Sequence, residues 1–216
     1  MDESVETAEE LYLTDKEIFL KIWTTPRPVF KYINDNSYGK YVTVLLVFAG
    51  MLDAFDRATT QHMGNIMPVW GVLLLCICGG ALFGWISYYI YAALLSWTGS
   101  WLKGEGNTDS ILRVLAYALI PTVLSLIPLA LKIAAYGNGV FTTEGLPGAN
   151  WSDMIFQYGI GAVNLVLNVC TLVLYVVGIS EVQKFSVWKA ILNLLLPILI
   201  IGVPIYVIVT LATGSF

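Results

Sequence analysis

The chain alternates between long apolar runs and short polar segments. Five of the runs are long enough to cross a bilayer as helices, which takes about 20 mostly apolar residues. The predicted spans are residues 41–58, 68–98, 110–134, 155–179 and 188–212. This pattern predicts an all-α polytopic membrane protein, with a five-helix bundle over residues 41–216 and an N-terminal arm over residues 1–40.

The composition supports a membrane protein rather than a soluble one. Hydrophobic residues make up 57% of the chain and charged residues 12%, whereas soluble domains carry about 25% charged residues. The net charge is −4, and five carboxylates fall in the first ten residues. The rest of the chain is therefore nearly neutral, so the expected partner is the lipid bilayer and not a nucleic acid.

Lysine and arginine are distributed unevenly between the predicted loops. If the N-terminus is cytoplasmic, nine basic residues lie in or beside inner segments and two in outer ones. Cytoplasmic loops collect basic residues, so we expect a cytoplasmic N-terminus and an external C-terminus in the cell membrane. The inner basic residues are Lys16, Lys21, Arg27, Lys31, Lys40, Lys103, Arg113, Lys184 and Lys189.

The arm before the first span has an amphipathic pattern. Thr14 and Glu17 form an S/T-x-x-E capping box, which predicts that a helix starts there and covers about residues 14–25. Pro26 and Pro28 are expected to end it. A helix of this kind lies on the membrane interface or packs on the cytoplasmic face of the protein itself, and the two placements are compatible. The residues assigned to this interfacial arm are Phe19, Trp23, Pro26, Pro28 and Phe30.

Charged residues near the outer end of the first span have two interpretations. Asp53 and Arg57 are four residues apart, so they can pair on one helix face. Together with Asp56 they predict either an ion or proton site or, as the favoured interpretation, a helix end that reaches the outer interface with a local ion pair.

The fourth span carries a polar face. Asn164, Asn168 and Thr171 follow each other at helical spacing, so we expect all three to face inward. Asn193 in the fifth span is one candidate partner. Helix packing is the favoured role of this face and a polar substrate site is the alternative. These four residues and the three charges of the first span form a candidate intramembrane polar cluster.

Glycines mark two further features. Gly80 and Gly84 form a GxxxG pair, which permits close contact with another helix, either within the chain or in a homodimer. Gly104 and Gly106 are expected to permit a tight cytoplasmic reversal. Prolines predict kinks in the third span at Pro121 and Pro128 and in the fifth at Pro197 and Pro204.

The sequence contains no motif of an enzyme. G-x-S-x-G, H-E-x-x-H and a spaced Cys–His pair are all missing, and the three cysteines lie in apolar runs. We therefore expect no catalytic residue, no metal and no cofactor.

Two segments resemble a known family. The stretch "WTGSWLKGEGNTDSILRVLAYALIP", residues 97–121, is similar to the middle of the Yip (Ypt-interacting protein) domain family of five-span membrane proteins. Its Gly/Ala-Tyr-x-Leu-x-Pro element corresponds to Ala116–Pro121, with Tyr117 and Pro121 as the motif residues. The arm segment "IWTTPRPVFKYI", residues 22–33, is similar to the prokaryotic branch.

The resemblance implies a non-enzymatic membrane role, because eukaryotic members are associated with Rab GTPases, membrane trafficking and organelle shape. The leading hypothesis is an integral membrane protein that organises membrane or recruits partners through its cytoplasmic face. The alternative is a small transporter or channel that uses the polar residues of the first and fourth spans.

Overall fold

A computed structural model of the protein describes residues 13–144 and 150–213, and these residues form helices and turns without a strand. Residues 2–10, which contain the five N-terminal carboxylates, lie outside the described part. The helices are α1 (Asp15–Lys21), α2 (Pro26–Asp35), α3 (Val42–Thr60), α4 (Val69–Trp101), α5 (Thr108–Ala118), α6 (Ile120–Leu124), α7 (Leu126–Tyr136), α8 (Trp151–Val182) and α9 (Val187–Thr213). Short 3₁₀ turns follow α3 and α7, at Met63–Asn65 and Gly137–Phe141.

The arm contains two short helices instead of the single one predicted over residues 14–25. The predicted capping box is confirmed, because the Thr14 N–H donates to Glu17 Oε2 over 2.9 Å. The helix ends at Lys21, however, and Pro26 opens the next helix. A proline fits the first turn of a helix because its missing N–H has no partner there in any case.

Four stretches are long and apolar enough to cross a membrane: Val69–Trp101, Thr108–Phe141, Trp151–Val182 and Val187–Val207. They lie where the second to fifth spans were predicted. α3 is not among them, because its 19 residues include Asp53, Asp56 and Arg57. The described residues thus establish an all-α membrane protein with four such stretches.

Prolines divide the third of these stretches. Its helix breaks at Leu119 and again at Ser125, shortly before Pro121 and Pro128. This confirms the predicted kinks in the third span, because a proline has no N–H for the carbonyl four residues earlier. α9 passes through Pro197 and Pro204 as one helix, so the kinks predicted there do not interrupt it.

The third stretch is the centre of the bundle. Within an 18-residue apolar segment of this stretch, 56% is buried inside the protein, against 17% in the corresponding segment of each of the other three stretches. α5 contacts α2, α3, α4 and α8. We call the end of the bundle at which α1, α2 and the α4–α5 and α8–α9 turns meet the arm end, and the opposite end the far end.

The helices α2, α4 and α8 finish at the arm end in the same way. The second residue after each helix has a positive φ: Ser37 (48°), Lys103 (65°) and Lys184 (57°). The next backbone N–H then reaches back five residues, as from Gly104 to the Gly99 carbonyl oxygen over 2.9 Å. This is the left-handed closure that usually falls on glycine.

Three glycines bring α3 and α4 into backbone contact. A Cβ atom on Gly50 would lie 2.6 Å from the Gly84 Cα and 2.7 Å from the Gly80 carbonyl oxygen. The GxxxG pair of α4 is therefore used within the chain, against α3, which settles which helix this motif contacts.

This contact predicts opposite effects for two glycines of α4. Gly84→Ala places a methyl group against the Gly50 backbone, which cannot move aside as a side chain can. We expect a loss of about 1–3 kcal/mol in the free energy of unfolding in detergent, the range for overpacking. Gly79→Ala is the matched control, because a Cβ there meets nothing within 4 Å. It should leave stability unchanged or raise it, and equal losses in both variants would contradict the contact.

Candidate functional site

The apolar side of the arm is buried against the bundle. Five arm residues that share this side are fully buried: Ile18, Ile22, Val29, Phe30 and Ile33. The Phe30 ring packs where Gly178 of α8 leaves room, since a Cβ there would lie 3.3 Å from it. Of the two placements that the sequence left open, the structure therefore shows the apolar stripe packed on the protein. Leu20 and Trp23 lie outside it and are 71% and 40% exposed.

The motif residue Tyr117 lies under the arm. It is fully buried in α5, with its ring 6.3 Å from that of Phe19 and 6.0 Å from that of Tyr38. Its hydroxyl lies close to the Tyr41 backbone, but no described group meets hydrogen-bond geometry with it. Tyr117 thus acts chiefly as an aromatic surface on which the arm packs.

Pro121, the other motif residue, follows Tyr117 by one helical turn. In an unbroken helix the N–H of residue 121 would bond to the Tyr117 carbonyl, and proline has no such N–H. The helix is interrupted at Leu119, between the two motif residues. Tyr117 and Pro121 therefore fix where α5 ends relative to the Tyr117 ring, on which the arm packs.

Asp15 ties the start of the arm to the start of α3. Its carboxylate accepts hydrogen bonds from Tyr38 Oη, Tyr41 Oη and Lys40 Nζ, each over 2.6 Å. The Lys40 ammonium, followed by the two hydroxyls, holds the pKa of Asp15 well below its ordinary 3.8. The same carboxylate raises the pKa of Lys40 above 10.5. Asp15 is therefore ionised at any physiological pH.

A buried glutamine joins the two turns of the arm end, and the sequence analysis missed it. Gln183 is 1% exposed; its Oε1 accepts from the Gly106 N–H over 3.0 Å, and its Nε2 donates to the Leu95 carbonyl oxygen over 3.2 Å. A Cβ on Gly99 or Gly104 would overlap its amide group.

These glycines provide space rather than an unusual backbone conformation. The positive φ of the turn belongs to Lys103, and neither Gly104 nor Gly106 has one. The predicted role of Gly104 and Gly106 in the reversal therefore comes from the space that they leave and not from a positive φ. Three glycines within eight residues were the available signal, but nothing in the sequence names the side chain that fills the space.

The charges of α3 do not form the predicted ion pair. No nitrogen of Arg57 lies within 4.0 Å of an Asp53 oxygen, as the described ion pairs involve other residues. Asp53 is half-buried and lines, with Arg57, a cavity of about 240 Å³ between α3 and α4. The Tyr88 side chain lies beside Asp53. Asp56 is exposed and does not line the cavity.

The polar residues of α8 do not share one inward face. Thr171 is buried and its hydroxyl lies 2.8 Å from that of Thr122. Asn164 has a buried Oδ1 without a hydrogen-bond partner in the described structure, whereas Asn168 is exposed. The expectation of a common inward face was wrong for Asn168.

Asn193 belongs to the arm end and not to the polar residues of α8. It is fully buried; its Oδ1 accepts from Thr98 Oγ1 over 2.8 Å, and its Nδ2 donates to the Leu95 carbonyl oxygen over 3.3 Å. The predicted pairing with the asparagines of α8 was therefore wrong. The structure divides the candidate polar cluster among the α3–α4 cavity, α8 and the arm end.

The Asp15 contacts predict a specific pH dependence. A lowered pKa means that Asp15 stabilises the fold fully above its unfolded value of about 4 and loses this contribution as pH falls through the folded pKa. Asp15→Asn should therefore lower the melting temperature by a constant amount from about pH 5 to about pH 9, with the difference shrinking below about pH 4. Asp35→Asn, at an exposed position of α2, is the control and should match the wild type. A difference independent of pH would contradict the role of the charge.

The buried glutamine gives a second prediction. Gln183→Ala leaves the Gly106 N–H and the Leu95 carbonyl without these bonds, and Gly104→Ala forces the amide out of its place. Each should cost about 1–3 kcal/mol in unfolding free energy, because the Gly106 N–H loses its partner, while the Leu95 carbonyl keeps its bond from Asn193. Gly159→Ala in α8 is the control, because its Cβ meets nothing within 4 Å. If Gly104→Ala is as stable as the wild type in a denaturant titration, the Gln183 amide is not held in this turn as described, and the prediction is wrong.

One family profile covers most of the residues described above. The profile of the Yip1 domain matches residues 20–208, which include α2, the Tyr117–Pro121 motif and the four apolar stretches. No curated protein and no solved structure matches the chain. Since the matched region covers most of the sequence, the chain belongs to the Yip1 domain family.

Proposed function

We propose that the protein is a non-enzymatic integral membrane protein that uses its arm end, on the cytoplasmic side, to organise membrane or to recruit protein partners. The observation that carries this proposal is the docked arm. Since α1 and α2 bury their apolar side against α5 and α8, the outward side of the arm is a fixed surface rather than a mobile tail. A fixed surface binds without the cost of ordering it first.

The outward side of the arm combines basic and apolar groups. Lys16, Leu20, Trp23, Arg27 and Lys31 are exposed on it. Tryptophan and arginine are enriched where proteins bind each other, and basic and aromatic residues together suit an anionic membrane surface. Trp97, Trp101 and Trp188, exposed near the same end, have the properties of interfacial anchors.

The proposed topology has α3 as a fifth span. Its 19 residues reach about 28 Å, close to the thickness of the hydrocarbon core. Five spans place the termini on opposite sides. The nine basic residues counted for the cytoplasmic side belong to the arm and to the segments at the arm end, which supports a cytoplasmic N-terminus in the cell membrane.

The transporter alternative has less support. It needs polar residues from α3 and α8 in one cavity, and the cavity described at α3 is lined by Asp53 and Arg57 without a residue of α8. Asn168 is exposed and Asn193 is bonded to Thr98. We therefore favour the surface function.

The test changes the outward side of the arm while its buried side remains intact. A photo-reactive residue at position 27 reports cross-linked partners in native membranes, and electron microscopy reports membrane shape. The double variant Leu20→Ser with Trp23→Ser should reduce the cross-links, or the effect of overexpression on membrane shape, by at least about tenfold.

The control for this test is Ile66→Ser with Trp70→Ser, two positions that are 79% and 77% exposed near the far end. It should behave as the wild type. If the arm variant leaves both cross-links and membrane shape unchanged, the proposed function is wrong. Truncation of residues 1–36 is a poorer test, because it also removes buried residues such as Ile18 and Phe30.

A further inference from the structure

The cavity between α3 and α4 is lined by a half-buried carboxylate, an exposed guanidinium and a rim of exposed apolar side chains. Asp53 and Arg57 provide charges of opposite sign from α3, and Ser87 adds a hydroxyl from α4. Phe83 and Leu75 form part of the rim and are 66% and 45% exposed. The space in front of Gly79 is open, since a Cβ there would meet no atom within 4 Å.

The part of the cavity around Asp53 lies at the level of apolar side chains of α4. Gly50 contacts Gly84, which is close to the middle of α4, and Asp53 follows Gly50 by about one helical turn. On α4 the exposed side chains at this level and on both sides of it are apolar, among them Leu74, Leu82 and Phe83. Asp53 lies about two helical turns before the end of α3, whereas Arg57 lies in its last turn.

Two opposite charges in this position need compensation. A charge in the hydrocarbon region is costly unless it is paired. Asp53 has the Tyr88 side chain beside it but forms no ion pair within 4.0 Å with the exposed Arg57. A ligand that carries one cationic and one anionic group would compensate both. The cavity of about 240 Å³ is smaller than the roughly 300–1,000 Å³ of drug-sized sites, so it suits a compact zwitterionic group.

We propose that this groove binds one phospholipid with an amine-bearing zwitterionic headgroup, with its ammonium on Asp53 and its phosphate on Arg57. The lipid enters sideways from the bilayer, because the apolar rim faces outward between two helices. Its acyl chains lie along Phe83 and Leu75, and its headgroup is drawn below the level of the surrounding headgroups. This site is separate from the arm end and does not depend on the proposed function.

The experiment measures lipid binding to purified protein in detergent by native mass spectrometry. The wild type should retain phosphatidylethanolamine at least about tenfold more tightly than phosphatidylglycerol of the same chains, because only the former offers a cation to Asp53. Asp53→Asn keeps the shape of the side chain and should abolish this preference. Arg57→Gln should weaken both lipids, because both carry the phosphate.

Two further variants separate binding from folding. Asp56→Asn changes a neighbouring carboxylate outside the cavity and should bind as the wild type does. Gly79→Leu fills the open space without touching a charge and should weaken both lipids by about tenfold or more.

Four results would overturn the proposal. They are equal retention of the two lipids by the wild type, an intact preference in Asp53→Asn, an equal loss in Asp56→Asn, and unchanged binding in Gly79→Leu. Competition separates a lipid from a soluble ligand: glycerophosphoethanolamine, which has the headgroup but no chains, should compete poorly. If it competes as well as phosphatidylethanolamine, the site takes a soluble compound and not a lipid.

Discussion

The structure depends on the burial of α5 from all sides. Within lipid, apolar surface alone does not drive helices together, so close packing must hold them. At the arm end α3, α4 and α8 surround α5 only in part, and α1 and α2 complete the cover with Ile18, Val29 and Phe30. The arm is therefore part of the core and not an appendage, and the outward surface proposed for function exists because the inward one is filled.

Polar groups determine how this packing is aligned. The Asp15 carboxylate fixes the arm through three donors, and the Gln183 amide fixes one interhelical turn against the other. Both are hydrogen-bonded throughout, as buried or charged groups in native proteins generally are. The charges in the α3–α4 cavity form no ion pair among the described residues, although the Tyr88 side chain lies beside Asp53. The missing ion pair is the reason to look for a ligand there.

The sequence predicted what depends on local pattern. Apolar length indicated the helices, the Thr14–Glu17 spacing indicated the start of α1, and proline chemistry indicated the breaks near Pro121 and Pro128. It did not predict contacts between distant segments. Helical spacing placed Asn168 beside Thr171, but which side of a helix faces lipid is decided by its neighbours. Likewise Gly104 was recognised as special, yet the side chain that needs its space is 79 residues away along the chain and leaves no local signal.

The closures of α4 and α8 have an electrostatic consequence. Both helices end at the arm end, so the negative ends of their dipoles, equivalent to about half an electronic charge each, come together there. Lys103 and Lys184 follow these ends directly and hold positive φ angles that glycine would adopt at less cost. Lysine at these positions adds a cation near each terminus, and at the end of α8 the Lys184 Nζ also lies 3.7 Å from Glu181 Oε1. Two of the basic residues on which the proposed orientation rests thus also lie beside the ends of helices.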